Sequence, residues 1–349
     1  MHRAAFLRSA GAAAVAGALG RALPASAQAP AAVNIGSALA VTDAPLFIAA
    51  ELGYFHDAGI APALQDFSSG ATLISSLGTG QLDVGGGSGS AGLFNAVSRG
   101  IAIKIVADRG STKPGYGFVQ LLVRKELIVS GKFKSLADLK GLRVAESGKG
   151  AANLCQITKA LSSVGLTYAD VQHVFLSPPD QITALANGSI DATMLAEPYA
   201  TLAKNLGVCT SFSGTDKFYP NQETSVILYS GQFATQRPDV ARAFMVAYLR
   251  AQRHFLDAFQ GNRLTGPGSN EIVDILNRRL KIDPHVLRTM ILPYPDPDGH
   301  VNTAALNDDL AIYRSEKLID GTATVEQIVD ASFITAAVER LGPYHPKRS

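Results

Sequence analysis

SGATLISSLGTGQLDVGGGSGS, Ser69 to Ser90, is the stretch that decides the fold, because a weaker copy of it returns about a hundred residues later. In the first copy a helical segment ends with Leu77 and Gly80, and a short strand follows at Leu82-Asp83-Val84. In the second, Leu185, Gly188 and Ile190-Asp191-Ala192 repeat that order at a constant offset of 108 residues. Gly80 and Gly188 read as left-handed residues that close a helix, since a residue without a Cβ takes positive φ freely. Each strand then enters a loop, Gly87-Ser88-Gly89-Ser90 in one copy and Ala196-Glu197-Pro198 in the other. The repeat predicts two similar lobes that each turn this loop toward one ligand.

Working outward, the same order holds on both sides. Before the first copy come a strand at Val33 to Gly36, a loop from Ser37 to Asp43, a helix from Leu46 to Ala58 ending at Gly59, and a strand at Ala63 to Phe67. Thr42 or Asp43 is positioned to cap that helix, with Pro45 in its first turn. After it come strand Leu82 to Gly86, helix Ala91 to Ser98, Gly100 and strand Ile101 to Ala107. The second lobe repeats the series as strand Leu142 to Ala145, helix Ala152 to Val164, strand Val171 to Phe175, helix Asp180 to Ala186, strand Ile190 to Leu195 and strand Val208 to Phe212. Its closing glycines, Gly165, Gly188 and Gly207, match Gly59, Gly80 and Gly100. Strands alternating with short helices predict an α/β fold with a parallel sheet and right-handed crossovers in each lobe.

Two stretches join the lobes, Arg109 to Leu122 and Glu223 to Tyr229, and two crossings favour hinge closure. From Gln232 onward the pattern is helical and is expected to pack back on the first lobe. The domain reading is therefore an export signal at 1–27, a first lobe from 28–112 and 230–349, and a second lobe from 113–229.

With 47% hydrophobic and 17% charged residues and a formal net charge of +2, the 349-residue chain has no signature of disorder or of a nucleic-acid surface. Arg3 and Arg8 precede an apolar run from Ala10 to Leu19, followed by Ala25-Ser26-Ala27, which reads as a signal peptide cleaved after Ala27 and implies a periplasmic protein that is not membrane-embedded. The Arg3 to Arg8 segment leaves the Sec and twin-arginine routes both open. In that oxidising compartment Cys155 and Cys209 are either one disulfide or two separate buried thiols.

Ligands in open parallel sheets sit beyond the carboxyl ends of the strands, where free N–H groups of helix N-termini favour acidic or polar groups. Those ends are Ser37 to Asp43, Ser68 to Gly70 and Gly87 to Ser90 in one lobe, and Ser147 to Asn153, Ser177 to Pro179 and Ala196 to Pro198 in the other. Glu197 either pairs with Lys149 or Arg109 or receives a cationic or N–H group of a ligand. Tyr116 and Tyr199 are candidates for a stacking face. The seven histidines show no paired metal spacing, and Gly85 to Gly89 lacks the ending of a nucleotide phosphate loop, so neither metal nor cofactor is expected.

Pro45-Leu46-Phe47-Ile48-Ala49-Ala50-Glu51-Leu52-Gly53-Tyr54-Phe55, Leu77 to Asp83, Ala96-Val97-Ser98-Arg99-Gly100, Leu136-Ala137-Asp138-Leu139-Lys140-Gly141 and Glu197-Pro198-Tyr199 resemble the solute-binding proteins of ABC transporters for nitrate, sulfonates, taurine and thiamine-precursor pyrimidines. The resemblance runs roughly from residue 33 to 250. It implies a type II periplasmic-binding-protein fold that captures a small organic ligand, a sulfonate, aromatic or other small acid, or pyrimidine, as a monomer and delivers it to an ABC permease and its ATPase. Carried over by position, the cleft-lining residues are Ser37, Thr42, Asp43, Ser69, Gly70, Ser88, Gly89, Ser90, Gly150, Ala151, Asn153 and Glu197. The fold also hosts a pyrimidine synthase and a desulfinase, whose cysteine features this chain lacks. An exported enzyme acting through Cys155, Glu197 or a histidine, and a ligand-presenting sensor, are the alternatives.

Overall fold

The computed structural model describes residues 29–67 and 72–346. The signal-peptide reading at 1–27 and the candidate residues Ser69 and Gly70 lie outside the described residues.

Among the described residues, ten strands form two five-stranded sheets. The first contains β1 (Ala31–Ser37), β2 (Ile60–Asp66), β3 (Val84–Gly87), β4 (Ile103–Gly110) and β10 (Ser225–Ser230), in the order β2-β1-β3-β10-β4. The second contains β5 (Val119–Arg124), β6 (Arg143–Glu146), β7 (Gln172–Phe175), β8 (Ala192–Ala196) and β9 (Cys209–Gly214), in the order β7-β6-β8-β5-β9. β1 runs parallel to β2 and β3, and β6 runs parallel to β7 and β8. The purely parallel expectation needs one correction in each lobe. β10 pairs antiparallel with β3 and β4, and β5 pairs antiparallel with β8 and β9. Both are the first strands laid down after the chain crosses between sheets. A chain arriving at the strand tips can only run back down the sheet, so these two strands point the opposite way.

The repeat is visible in the backbone. Gly80 and Gly188 take φ of +74° and +75°, and the other two glycine pairs occupy the same left-handed region. Helices α1 (Ala44–Glu51), α2 (Tyr54–Asp57), α3 (Leu73–Gly78) and α4 (Ala91–Ser98) connect the first sheet. α5 (Lys125–Val129), α6 (Ala152–Ser162), α7 (Pro178–Ala186) and α8 (Tyr199–Asn205) serve the second. The single helix expected from Leu46 to Ala58 is instead α1 and α2, broken at Gly53, whose φ is +76°. Asp43 precedes α1 without a side-chain cap, because its carboxylate is committed elsewhere.

The rest of the chain is helical: α9 (Gly231–Gln236), α10 (Pro238–Asp257), α11 (Ser269–Leu280), α12 (Pro284–Thr289), α13 (Thr303–Ser315), α14 (Val325–Ile328) and α15 (Ser332–Leu341). The 20-residue α10 buries Phe244, Met245 and Tyr248 against α1 and α2, and the Phe244 ring stacks on Phe55 at 4.8 Å between centroids. α13 does more than cover the first sheet. Leu306, Leu310 and Tyr313 share a core with Leu154 and Cys155 of α6, so this helix bridges to the second sheet. Cys155 and Cys209 are both free thiols, buried in different cores, so of the two sequence readings the separate thiols hold.

The two crossings meet at a pair of buried carboxyl groups. Asp108, near the end of β4, and Glu223, just before β10, hydrogen-bond to each other through their side chains. Asp108 also accepts from the N–H groups of Gly110 at 3.0 Å and Asp296 at 2.6 Å, and Glu223 accepts from Asn302 at 2.6 Å. Burial pushes Asp108 up to about 7, and burial followed by the neighbouring Asp108 charge pushes Glu223 well above the ordinary carboxylate range. The folded state therefore holds protons that the unfolded state releases, so this pair favours folding on the acid side; the Asp108 part of that contribution is lost as pH rises from about 4 to about 7. Glu223→Gln, which keeps a donor for Asp108 without a second charge, is expected to unfold about 1–2 kcal/mol less readily than the parent at pH 8, with the gap closing below pH 5. Thermal unfolding at both pH values checks this, and a variant weaker than the parent at pH 8 would count against the shared-proton reading.

Candidate functional site

A cavity of about 180 Å³ opens where the tips of the two sheets face each other. From the first sheet it is walled by Ala38, Ala40 and Thr42 after β1, Gly87 and Ser88 at the end of β3, Arg109 on β4, and Thr224 and Ser225 at β10. From the second it takes Phe118 and Val119 at β5, Ser147 and Ala151 to Asn153 after β6, Gln156 on α6, Pro178 and Gln181 of α7, and Met194 to Glu197 and Tyr199 around the end of β8. The parallel strands contribute their carboxyl ends and the two crossing strands their amino ends, so every strand that reaches the cavity reaches it at the same rim.

The two lobes touch beside it. The N–H of Ala91, first residue of α4, donates to the carbonyl of Gly150 at 3.0 Å. Gly150 has φ of +73°, and a Cβ there would meet the Ala91 methyl at 2.8 Å, so this approach requires glycine on both counts. Ser90 caps the same helix, its hydroxyl accepting from the Leu93 N–H at 3.3 Å. The α4 terminus is thus spent on protein partners. By contrast α6, eleven residues long, starts at Ala152 with no side-chain cap on its N-terminus, and its first turn lies in the cavity wall.

Of the candidate residues read from the sequence, Thr42, Ser88, Ala151, Asn153 and Glu197 line the cavity. Ser37, Asp43, Gly89, Ser90 and Gly150 do not. Ser37 and Asp43 sit one layer behind. The Ser37 hydroxyl donates to Asp43 at 2.9 Å, the Ala40 N–H donates to the same carboxylate at 3.2 Å, and the other Asp43 oxygen pairs with the Arg109 guanidinium. Arg109 also donates to the Gly87 carbonyl at 3.2 Å. Asp43 therefore supports the wall through Arg109 rather than facing a guest. The pair needs the space left by Gly86, where a Cβ would meet both the carboxylate and the guanidinium. Gly86→Ala is expected to cost about 2 kcal/mol of stability by overpacking, read as a lower urea midpoint; an unchanged midpoint would show that the pair can shift aside.

Glu197 pairs with neither Lys149 nor Arg109. Its carboxylate accepts from Gln120 at 2.7 Å, from the Thr201 N–H and hydroxyl at 2.8 Å each and from the Ile291 N–H at 3.3 Å, with Lys204 at 3.9 Å. Burial raises its pKa, opposed by Lys204 and the Thr201 hydrogen bonds. Four protein donors hold this carboxylate, because the residue sits at the start of α8 where free N–H groups compete for it. Lys149 is exposed. Tyr116 stands away from the cavity, edge-on to Tyr294 at 5.1 Å with its hydroxyl on the Gly261 carbonyl, whereas Tyr199 is in the wall.

The wall residues not read from the sequence as site residues include Phe118, Gln156, Met194 and Thr224. Gln156 was legible in principle, since it falls one turn after Asn153 on the same helix face. Cys155 points the other way, into the core, its thiol 3.9 Å from the Asp309 carbonyl and pushed well above the usual range by burial. Among the described residues no grouping of side chains could hold a metal ion, and no helix is long and apolar enough to cross a membrane.

Two sheet-centred lobes, joined by two crossings and closing on a cavity at their strand tips, define a periplasmic binding protein fold of the second type. The chain belongs to the NMT1/THI5 like family, which matches residues 41–258. A putative aliphatic sulfonates-binding protein of Bacillus subtilis is 27% identical over 313 residues, covering 84% of this chain and 85% of the relative. Among solved structures, the ligand binding component of an ABC-type import system from Staphylococcus aureus superposes with a TM-score of 0.73 at 17% identity, covering 88% of this chain and 99% of that one. The alkanesulfonate-binding protein SsuA from Xanthomonas axonopodis pv. citri, bound to MOPS, does so with a TM-score of 0.68 at 20% identity, covering 87% and 99%.

Proposed function

We propose that this chain is an exported solute-binding protein that encloses a small polar or anionic organic molecule in the interlobe cavity and presents it to an ABC permease and its ATPase. The first lobe comprises 28–112 with 230–349 and the second 113–229, working as a monomer released by cleavage near Ala27. The carrying observation is the cavity itself, walled from both sheets by Thr42, Ser88, Asn153, Gln156, Tyr199 and Ser225 together with the uncapped start of α6. Hydroxyls, amides and free N–H groups of this kind suit a polar head, and Ala38, Ala40, Phe118 and Met194 suit an apolar body. The two ionic groups in the wall are already matched, Arg109 by Asp43 and Glu197 by its four donors, so recognition rests on neutral donors and acceptors. The names of the relatives support a solute of the sulfonate class. Binding without turnover is the expected behaviour, since Cys155 is packed in the core and Glu197 is held by four protein donors.

A thermal-shift panel of sulfonates, aromatic acids, nitrate and pyrimidines tests this. A true solute at one hundred times its Kd adds about 2.7 kcal/mol to stability and raises the melting temperature in a saturable way. No shift from any member at millimolar concentration would contradict the reading.

A further inference from the structure

Behind the cavity wall runs a chain of buried side chains whose hydrogen-bond polarity is dictated by its far end. Asp309 of α13 is fully buried. It accepts from the Tyr219 hydroxyl at 2.7 Å and, with both oxygens, from Gln222 Nε2 at 3.1 Å. The same Nε2 donates to the Ala152 carbonyl at 3.2 Å. The Ala152 carbonyl only accepts, and so does Asp309 when ionised, so the amide of Gln222 turns its NH₂ end toward them. Its oxygen then faces Gln156 and accepts from Gln156 Nε2 at 2.7 Å. Reversing both amides would set the Gln222 oxygen against two acceptors. The orientation of Gln156 therefore follows from Asp309 two residues away in the network, and it leaves Gln156 Oε1 as the spare group.

That oxygen is buried and has no hydrogen-bond partner among the described residues, although Gln156 belongs to the cavity wall. A buried acceptor left unmatched is costly, and the natural place to find its donor is a guest molecule. Resting on the solute-binding reading above, we infer that Gln156 Oε1 accepts a hydrogen bond from the bound solute, so that the solute carries an N–H or O–H donor beside its polar head. Gln156 is then a specificity-determining residue, and Gln222 and Asp309 are positioning residues that fix which end of its amide the guest meets. A plain alkyl anion satisfies the remainder of the site and leaves this acceptor empty; an amino, amide or hydroxyl derivative fills it.

Matched pairs of probes separate the inference from the reading it rests on: ethanesulfonate against 2-aminoethanesulfonate and 2-hydroxyethanesulfonate, and benzoate against its hydroxyl and amino derivatives, each titrated by calorimetry. The parent protein is expected to prefer a donor-bearing member by about tenfold, the worth of one hydrogen bond. Gln156→Met, similar in length but without the acceptor, is expected to lose that preference while still taking the donor-free member. Asp309→Asn, which can donate back to Gln222 and releases the amide orientation, is expected to shrink the preference without touching the cavity wall. Equal affinities within every pair, or a preference that survives Gln156→Met, would overturn the inference and leave solute binding standing. Failure of every member of every pair to bind the parent would overturn the solute-binding reading itself.

Discussion

Asp43→Asn is expected to lower the unfolding free energy by about 3–5 kcal/mol, the largest stability effect foreseen for any wall-supporting residue. Arg109 is only 4% exposed, and its compensating charge comes from Asp43, which is itself fully buried. Removing that charge leaves a guanidinium stranded among Gly86, Gly87 and the backbone of β4, with its Nε already lacking a partner among the described residues. A buried cation without its counter-ion pays desolvation that nothing returns. The double variant Asp43→Asn with Arg109→Met is expected to recover part of the loss, because it removes the stranded charge as well. Urea unfolding of the two single variants and the double measures the coupling. A loss below about 1 kcal/mol for Asp43→Asn would mean that the guanidinium is solvated through the cavity, contrary to the burial described.

The second large effect concerns binding. Ser88→Trp is expected to weaken solute affinity by at least about a hundredfold while leaving the melting temperature of the empty protein within a few degrees of the parent. Ser88 lines the cavity, lies in the loop between β3 and α4, and its side chain makes no hydrogen bond within the described residues; Ser90 supplies the α4 cap. An indole there occupies much of a cavity of about 180 Å³ and excludes the guest sterically. Calorimetry with the best ligand of the panel gives the affinity, and thermal unfolding without ligand gives the control. Unchanged affinity would place the solute elsewhere.

These two residues also show where sequence reasoning succeeds and where it stops. The lobe repeat was legible because the helix-closing glycines are local signals: Gly80 and Gly188 report φ, and φ depends on the residue itself. Loop positions such as Thr42, Ser88 and Asn153 followed from the rule that ligands gather at strand tips, and they do reach the cavity. Asp43 belongs to the same loop, yet its partner Arg109 lies 66 residues away, so nothing nearby in the chain announces that its carboxylate turns inward. Glu197 does line the cavity, but the partners of its carboxylate were legible only in part. Thr201 and Lys204 are close in sequence but matter only once α8 has formed and turned its first N–H groups toward the carboxylate, while Gln120 and Ile291 reach it from distant parts of the chain. The break between α1 and α2 was missed because the apolar spacing runs on through Gly53, and a single glycine is compatible with a continuous helix. The reversed direction of β5 and β10 is a property of the crossing and leaves no mark in the strand residues themselves.

The acceptor on Gln156 depends on three elements at once: α6, the second crossing and α13. Such a network appears only after the chain is folded, although each member is an ordinary buried polar residue in sequence.

The most direct measurement is a crystal structure of the protein grown with the solute that gives the largest thermal shift. That solute is expected to lie between the two sheets, in contact with Thr42 and Ser88 on one side and Asn153 and Gln156 on the other. A solute seated on an outer face of either lobe, with the space between the strand tips filled only by water, would contradict it.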